Sequence, residues 1–157
     1  MSSILYSFHI AAELKASRLR ALLGVSEAGA LPDAYGVGRP TYVLIKSNEP
    51  DPIDDALFRS AYGFAPRVTV TVELAKSAPD EQARERPALD VLRALLRQLD
   101  DDMYVSYLGD YPVLVRHHGS TVVDARWLEH HPWFSDSFPQ AYTVAELVDP
   151  YSEPVSR

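Results

Sequence analysis

Two pairs of adjacent histidines, His117-His118 and His130-His131, are the residues in this sequence whose type suits metal binding. Imidazole is a common ligand for divalent transition metals. The first pair lies in a run that alternates as a β-strand does, and neighbouring side chains on a strand point to opposite faces. Two such histidines cannot bind one ion, and the H-E-x-x-H spacing of a helical zinc site is missing. The sequence therefore predicts no metal site and no cofactor, and we interpret the histidines as surface or tail residues.

Motifs that support the common kinds of catalysis are also missing. The chain has no G-x-S-x-G elbow and no complete glycine-rich phosphate loop. It has no cysteine, which excludes disulfides, thiolate nucleophiles and cysteine-based zinc sites. The carboxylates of Asp100–Asp102 and Asp110 fall around turns, and nothing marks a separated acid and nucleophile of the kind that glycosidases use. We therefore predict no catalytic residues and a protein that is not an enzyme.

The same carboxylates lie among tyrosines, a combination that suits a protein interface as well as a core. Aromatic anchors dominate the binding energy of many interfaces, whereas core packing is the simpler explanation for any one ring. Asp102 and the Asp110-Tyr111 pair belong to loops at the two ends of a predicted strand, Met103–Leu108, and loops of this sort often carry recognition. The candidate partner-binding residues are Asp100, Asp101, Asp102, Tyr104, Asp110 and Tyr111.

The net charge of −7 is concentrated in the second half of the chain. Residues 1–78 contain eight basic and eight acidic side chains, whereas residues 79–157 contain seven basic and fourteen acidic ones. Proteins that bind nucleic acids present clustered lysine and arginine, so this distribution argues against DNA or RNA as a partner. It suits a basic protein partner, although net charge also keeps a protein dissolved without any partner.

The length of 157 residues predicts a single domain. No apolar run approaches the roughly 18 residues that span a bilayer, so we expect no membrane association. The apolar stretch Ile4–Ala12 lacks the basic start and the cleavage site of a signal peptide. Together with the missing cysteines, this predicts a cytoplasmic protein. We expect a monomer or a weak homodimer.

A strand meander over Met103–Trp127 organises the predicted fold. Side chains alternate in character across Val113–Arg116, which is typical of a strand with one covered face. Gly109 and Gly119 lie where tight turns are required, because glycine adopts positive φ at little cost. The segment from His130 to Arg157 is rich in proline and aromatic residues, and it predicts an irregular tail packed on the domain, with one helical turn near Thr143–Val148.

Upstream of the meander, apolar residues recur with either the two-residue period of strands or the spacing of helices. The leucine-rich helix is predicted to begin at Pro87 and to end at Asp100–Asp102, where the helix dipole favours cations over carboxylates. The element order β-α-β-α-β-α-β-β-β predicts an α+β fold in which helices cover one face of a mainly antiparallel sheet. The upstream strands are predicted over Ile4–Ile10, Thr41–Ser47 and Val68–Leu74, the other helices end at Gly24 and Gly63, and a loop occupies 26–40.

Three segments resemble the immunity proteins of bacterial polymorphic-toxin systems, specifically those of the swarming-inhibition (Sit) toxins. The opening LYSFHIAAELKASRLRALLG is similar to the family's first strand and helix, and YGFAPRVTVTVEL resembles its entry to a later strand. The block LRALLRQLDDDMYVSYLGDYPVLVRHHGSTVVD resembles its leucine helix and the strands that follow. The family's turn is typically Asn-Gly-Glu, whereas this chain has Leu108-Gly109-Asp110.

The resemblance implies a non-enzymatic protein that binds and neutralises the toxic domain of a cognate effector. An acidic inhibitor can occupy the basic surface of such a toxin, and opposite charges accelerate association. The alternative is a small-molecule-binding or enzymatic domain with a pocket between sheet and helices. A deep polar pocket lined by His117 and Asp124 would favour that alternative.

Overall fold

The computed structural model describes residues 4–31, 41–74, 80–138 and 141–152, so most of the predicted 26–40 loop and the chain end lie outside the described residues. The described residues form one eight-stranded sheet with helices packed on it. In chain order the elements are β1 (Ile4–Ile10), α1 (Ala16–Leu23), β2 (Ala30–Leu31), β3 (Thr41–Ser47), α2 (Pro52–Tyr62), β4 (Val68–Leu74), α3 (Glu81–Gln98), β5 (Met103–Tyr107), β6 (Tyr111–His117), β7 (Ser120–Asp124), α4 (Ala125–Glu129), α5 (Phe134–Ser137) and β8 (Thr143–Ala145).

The sheet confirms the predicted α+β class and its mainly antiparallel character. The spatial strand order is β2-β3-β4-β1-β5-β6-β7-β8, so the first long strand lies in the middle of the sheet. Every pairing is antiparallel except the one between β7 and β8. The predicted meander corresponds to β5, β6 and β7, whose pairing joins three consecutive strands through two short turns.

The main core lies on one face of the sheet, which we call the helical face. Alternate residues of β1 and β4 supply it, because side chains two apart on a strand share a face. Phe8 pairs with Val70 and Val105 across three adjacent strands, and all three side chains are buried. The apolar stripe of α3 packs here with Leu19 of α1 and Trp127 of α4.

The prediction that the helices cover one face is wrong for α2. Phe58 of this helix packs against Tyr104 and Val115, which point away from the helical face. The second face therefore has a smaller apolar cluster of its own, and we call it the open face because much of it stays uncovered. Leu44 and Tyr42 on β3, for example, are 66% and 48% exposed there.

The leucine-rich helix begins six residues earlier than predicted. Asp80 caps α3 by accepting a hydrogen bond from the Ala83 N–H at 2.7 Å, which satisfies a backbone donor that the first turn leaves free. Pro87 consequently lies inside the helix instead of at its start.

The segment after His130 has more regular structure than predicted. It contains α5 and then β8, which joins the sheet edge parallel to β7. The helical turn predicted near Thr143–Val148 is wrong, because Thr143–Ala145 form that strand. Phe134 and Phe138 are buried in the main core, and Leu147 is buried in the smaller cluster of the open face. Among the described residues, no helix is both long enough and apolar enough to cross a membrane.

Candidate functional site

The two predicted acidic loops lie at opposite ends of β5. Asp100–Asp102 precede the strand and Asp110 follows it, so the strand's five residues separate them by about 17 Å at 3.3–3.4 Å per residue. Asp100, Asp110 and Tyr111 are exposed, and Tyr111 has 59% of its surface accessible. These residues are therefore accessible to a partner but form two separate patches.

Arg116 explains how three carboxylates are tolerated after α3. Its guanidinium is buried and donates hydrogen bonds to the carbonyl of Leu96 at 2.9 Å and twice to the carbonyl of Asp101, at 3.0 and 2.7 Å. The cation that a helix C-terminus favours thus comes from β6, and it also faces the acidic loop. Burial lowers the pKa of Arg116, an effect that the charges of Asp100, Asp101 and Asp102 oppose.

The geometric reasoning that separated His117 from His118 is wrong. His118 has a φ of 50°, in the left-handed region, because it begins the two-residue turn between β6 and β7. Strand alternation ends there, and the two rings lie with their centroids 3.8 Å apart. The carboxylate of Asp102 accepts hydrogen bonds from His117 Nδ1 at 2.9 Å and from the backbone N–H of His118 at 3.0 Å. The three side chains are close enough together to hold one ion.

Tyr104 does not belong to an accessible surface. It is 1% exposed, its ring stacks on Tyr62 with centroids 5.3 Å apart, and it meets Phe58 edge-on at 5.9 Å. Burial raises its pKa, and among the described residues its hydroxyl has no hydrogen-bond partner. Tyr104 thus packs in the cluster of the open face, and its partner-binding role stays a prediction. The acidic positions and Tyr111 remain a prediction.

The turn between β5 and β6 contains an unfavourable residue choice. Leu108 has a φ of 56°, and a bulky side chain there costs about 1–2 kcal/mol relative to glycine. The side chain is also 42% exposed, beside Asp110 and Tyr111. An exposed apolar residue in a strained conformation contributes little to the stability of the fold, which makes Leu108 a candidate contact residue.

A cleft of about 450 Å³ opens on the open face between the sheet and the start of α2. Asp51 and Asp54 line it from the helix, and His9 and Thr69 line it from the sheet. Lys46 is a basic lining residue, facing four acidic ones, so the cleft is acidic overall. It differs from the pocket anticipated around His117 and Asp124. Asp51 is the N-cap of α2 and Asp54 lies in its first turn, and no sequence signal places them opposite β1.

Electrostatic interactions connect this cleft with the β5–β6 turn. Burial raises the pKa of Tyr151, and the negative charges of Asp54, Asp149 and Asp51 raise it further. Burial likewise raises the pKa of Asp149, with an added contribution from the charge of Asp110. Tyr151 is 47% exposed and packs edge-on against the ring of Phe58. We call the carboxylates of Asp51, Asp54, Asp110 and Asp149 the acidic face; the first two and Asp149 act on Tyr151, and Asp110 acts on Asp149.

His9 forms the partly buried floor of the cleft. Its ring lies 5.4 Å from that of Phe58 and 5.8 Å from that of Tyr104. Burial lowers its pKa from 6.5 to about 4, so the imidazole is uncharged near pH 7. The floor of the cleft therefore adds no positive charge, and the acidic walls determine its potential.

Fold and surface together define an α+β protein with an acidic cleft on one face of its sheet. A model of the SitI3-like family matches residues 4–133. The chain therefore belongs to the SitI3-like family, and the resemblance to Sit immunity proteins is confirmed. Among curated proteins and solved structures, none matches the chain.

Proposed function

We propose that the protein is an immunity protein that binds a basic toxin domain and blocks it without catalysis. Membership of the SitI3-like family is the observation that carries this proposal. The acidic face supports it, because a surface of one charge sign attracts a partner of the opposite sign and accelerates their encounter.

The proposed contact surface extends the residues predicted from the sequence. It includes the predicted Asp100, Asp101, Asp102, Asp110 and Tyr111 and adds Leu108 with the acidic face. Leu108 and Tyr111 would supply apolar anchors, and the carboxylates around them would supply the polar rim that interfaces typically have. Asp102 has a second role, because it also holds His117.

Co-expression with the toxic domain of a Sit-type effector, taken from the genome that encodes this chain, tests the proposal. We expect rescued growth and a one-to-one complex, with an association rate that falls as salt is added. Asp54→Asn and Asp110→Asn should each slow association and flatten its salt dependence. Glu27→Gln, which removes an exposed carboxylate from the turn between α1 and β2, is the charge-matched control.

Leu108→Asn separates recognition from folding. Asparagine accepts the left-handed conformation more readily than leucine, so this variant should unfold at a higher temperature. We expect it to bind the toxic domain more weakly despite its greater stability. Unchanged binding by Leu108→Asn, Asp54→Asn and Asp110→Asn would overturn the proposed surface while leaving the immunity function intact.

The second candidate function is the binding of a small molecule in the cleft, where His9, Asn48 and Thr69 converge. Asn48 Nδ2 donates to Thr69 Oγ1 at 2.8 Å, which shows that these polar groups are held in place. A small metabolite retained through purification, together with no effect on toxin activity, would favour this function over immunity.

A further inference from the structure

A cluster of buried polar groups lies on the helical face, away from the proposed contact surface. Its centre is Glu85 of α3, which is 0% exposed. Tyr6 of β1 donates its hydroxyl proton to Glu85 Oε2 at 2.5 Å, and the indole N–H of Trp127 donates to that hydroxyl at 3.3 Å. An ionised group buried this deeply requires strong partners, so the other side of Glu85 is informative.

His131 faces Glu85 from the end of α4, and its tautomer follows from its contacts. Its Nδ1 lies 2.8 Å from the carbonyl oxygen of Trp127, which can only accept, so Nδ1 bears the proton. The imidazole also stacks on the indole of Trp127, with centroids 4.3 Å apart and an angle of 12° between the planes. The ring is thereby fixed with Nε2 directed toward α3. A backbone carbonyl on Nδ1 is a common support for a metal-binding histidine.

The atoms around Nε2 have the spacing of ligands around one metal ion. Nε2 lies 2.9 Å from Glu85 Oε2 and 3.5 Å from Glu81 Oε1. Two ligands that are each about 2.1 Å from an ion are about 3.0 Å apart at a right angle and about 3.4 Å apart at the tetrahedral angle. Glu81 and Glu85 are four residues apart on α3, so both reach the same side of the helix.

Among the described residues, two acceptor atoms of this cluster are fully buried and have no hydrogen-bond partner. These are His131 Nε2 and Glu85 Oε1. The approach of Nε2 to Glu85 Oε2 is short, but its direction does not satisfy a hydrogen bond. His131 as a whole is 4% exposed. This buried nitrogen points between two carboxylates, and it makes no directed hydrogen bond to either of them. It can therefore serve as a ligand for a metal ion.

Charge in the cluster also suits a cation. Arg84 NH2 lies 4.0 Å from Glu85 Oε1 and offsets one of the two carboxylates. With His131 neutral, the two glutamates and Arg84 leave one negative charge. A protonated His131 would neutralise it as well, so a proton and a metal ion compete for Nε2.

We propose that Glu81, Glu85 and His131 bind a divalent first-row transition metal ion that clasps α4 to α3. One imidazole and two carboxylates suit Zn²⁺ and its neighbours, and solvent would complete the coordination beside the exposed Glu81. Tyr6 and the Trp127 carbonyl orient the ligands from behind, as outer-shell groups do in metal sites. This site departs from the sequence prediction, which treated the His130-His131 pair as an ordinary part of the tail.

Zn²⁺ titration of the full chain by calorimetry tests the clasp. The parent protein for the experiment carries His118→Gln, because Asp102, His117 and His118 form a separate cluster that also attracts zinc. We expect one Zn²⁺ per chain and a higher melting temperature with zinc present. Glu81→Gln should weaken Zn²⁺ binding by about ten-fold or more, since it removes a ligand but leaves the Tyr6–Glu85–His131 contacts in place.

His131→Gln should also abolish tight zinc binding, and His130→Gln, which removes the exposed neighbouring imidazole, is its matched control. Co²⁺ in place of Zn²⁺ should give visible absorption bands in the parent and in His130→Gln but not in Glu81→Gln. Zinc affinity in Glu81→Gln equal to that of the parent would overturn the clasp and leave an ion pair between His131 and Glu85. A parent protein whose melting temperature does not rise with zinc would also overturn the clasp. Neither result depends on the toxin, so failure here is distinguishable from failure of the immunity proposal.

Discussion

Replacing His9 by glutamine should remove a large part of the stability that the protein loses between pH 6.5 and pH 4. His9 lies on β1 between the rings of Phe58 and Tyr104, and burial lowers its pKa to about 4. In the unfolded chain the same imidazole titrates near 6.5. Below that pH the unfolded chain therefore binds a proton that the folded protein excludes.

The sign and the size of the effect follow from this difference in pKa. Stability is fully present above pH 6.5, falls as the pH decreases toward 4, and loses no more to His9 below that value. A difference of about 2.5 pKa units, at 1.36 kcal/mol for each, corresponds to about 3 kcal/mol as an upper limit. That is a substantial part of the roughly 5–15 kcal/mol by which a typical domain is stable.

His131 does not contribute to the stability that is lost between pH 6.5 and pH 4. Burial of His131 opposes its protonation, but the negative charges of the nearby Glu85 and Glu81 carboxylates favour it, and the pKa is raised. In metal-free protein its contribution to stability is therefore present at low pH and is lost only as the pH rises above the ordinary value of 6.5. His131 therefore does not contribute to the loss below pH 6.5, and the comparison of wild type with His9→Gln measures the part that is due to His9.

Urea unfolding followed by tryptophan fluorescence, at several pH values across this window, measures the effect. The wild type and His9→Gln share every carboxylate, so the difference between their curves isolates the imidazole. His9→Phe provides a second test if glutamine disturbs the aromatic cluster, and His130→Gln controls for the loss of an exposed histidine. Equal losses of stability in the wild type and both His9 variants would refute the reasoning.

Three further substitutions test contacts of the fold. Arg116→Lys should lower the free energy of unfolding by about 2–3 kcal/mol, because lysine cannot serve both carbonyls at once, and chemical denaturation measures this loss. Asp124→Ala should cost about 2 kcal/mol in the same assay, since its buried carboxylate accepts from the N–H groups of Trp127 and Leu147. Tyr62→Phe should speed proteolysis after Val148 with little change in global stability, because its hydroxyl bonds both backbone groups of that residue. A protease pattern identical to that of the wild type would contradict this last expectation.

Sequence patterns predicted the parts of the fold whose causes are local. The strands Ile4–Ile10 and Val68–Leu74 end where alternation predicts, and Gly63 ends α2 with a φ of 81°. Such features depend on neighbours along the chain, so periodicity and turn chemistry are sufficient to find them.

The features that were missed depend on contacts between distant segments. An apolar stripe predicts that α2 packs on the sheet, but Phe58 fits either face until the positions of Tyr104 and Val115 are known. The turn conformation of His118 likewise depends on the pairing of β6 with β7. Asp54 belongs to the acidic face only because Tyr151, 97 positions later in the sequence, lies beside it.

The central position of β1 has a consequence for synthesis on the ribosome. Its two neighbours are β4 and β5, so the last partner of the first strand is Met103–Tyr107. At about 5–20 residues per second, roughly 5–20 s of translation separate the two strands. During that time one edge of β1, with Phe8 and Ile10, has no partner and is a potential client for chaperones. The nascent chain reaches its native sheet only late in elongation, so any delay in translation before β5 prolongs the exposure of its first strand.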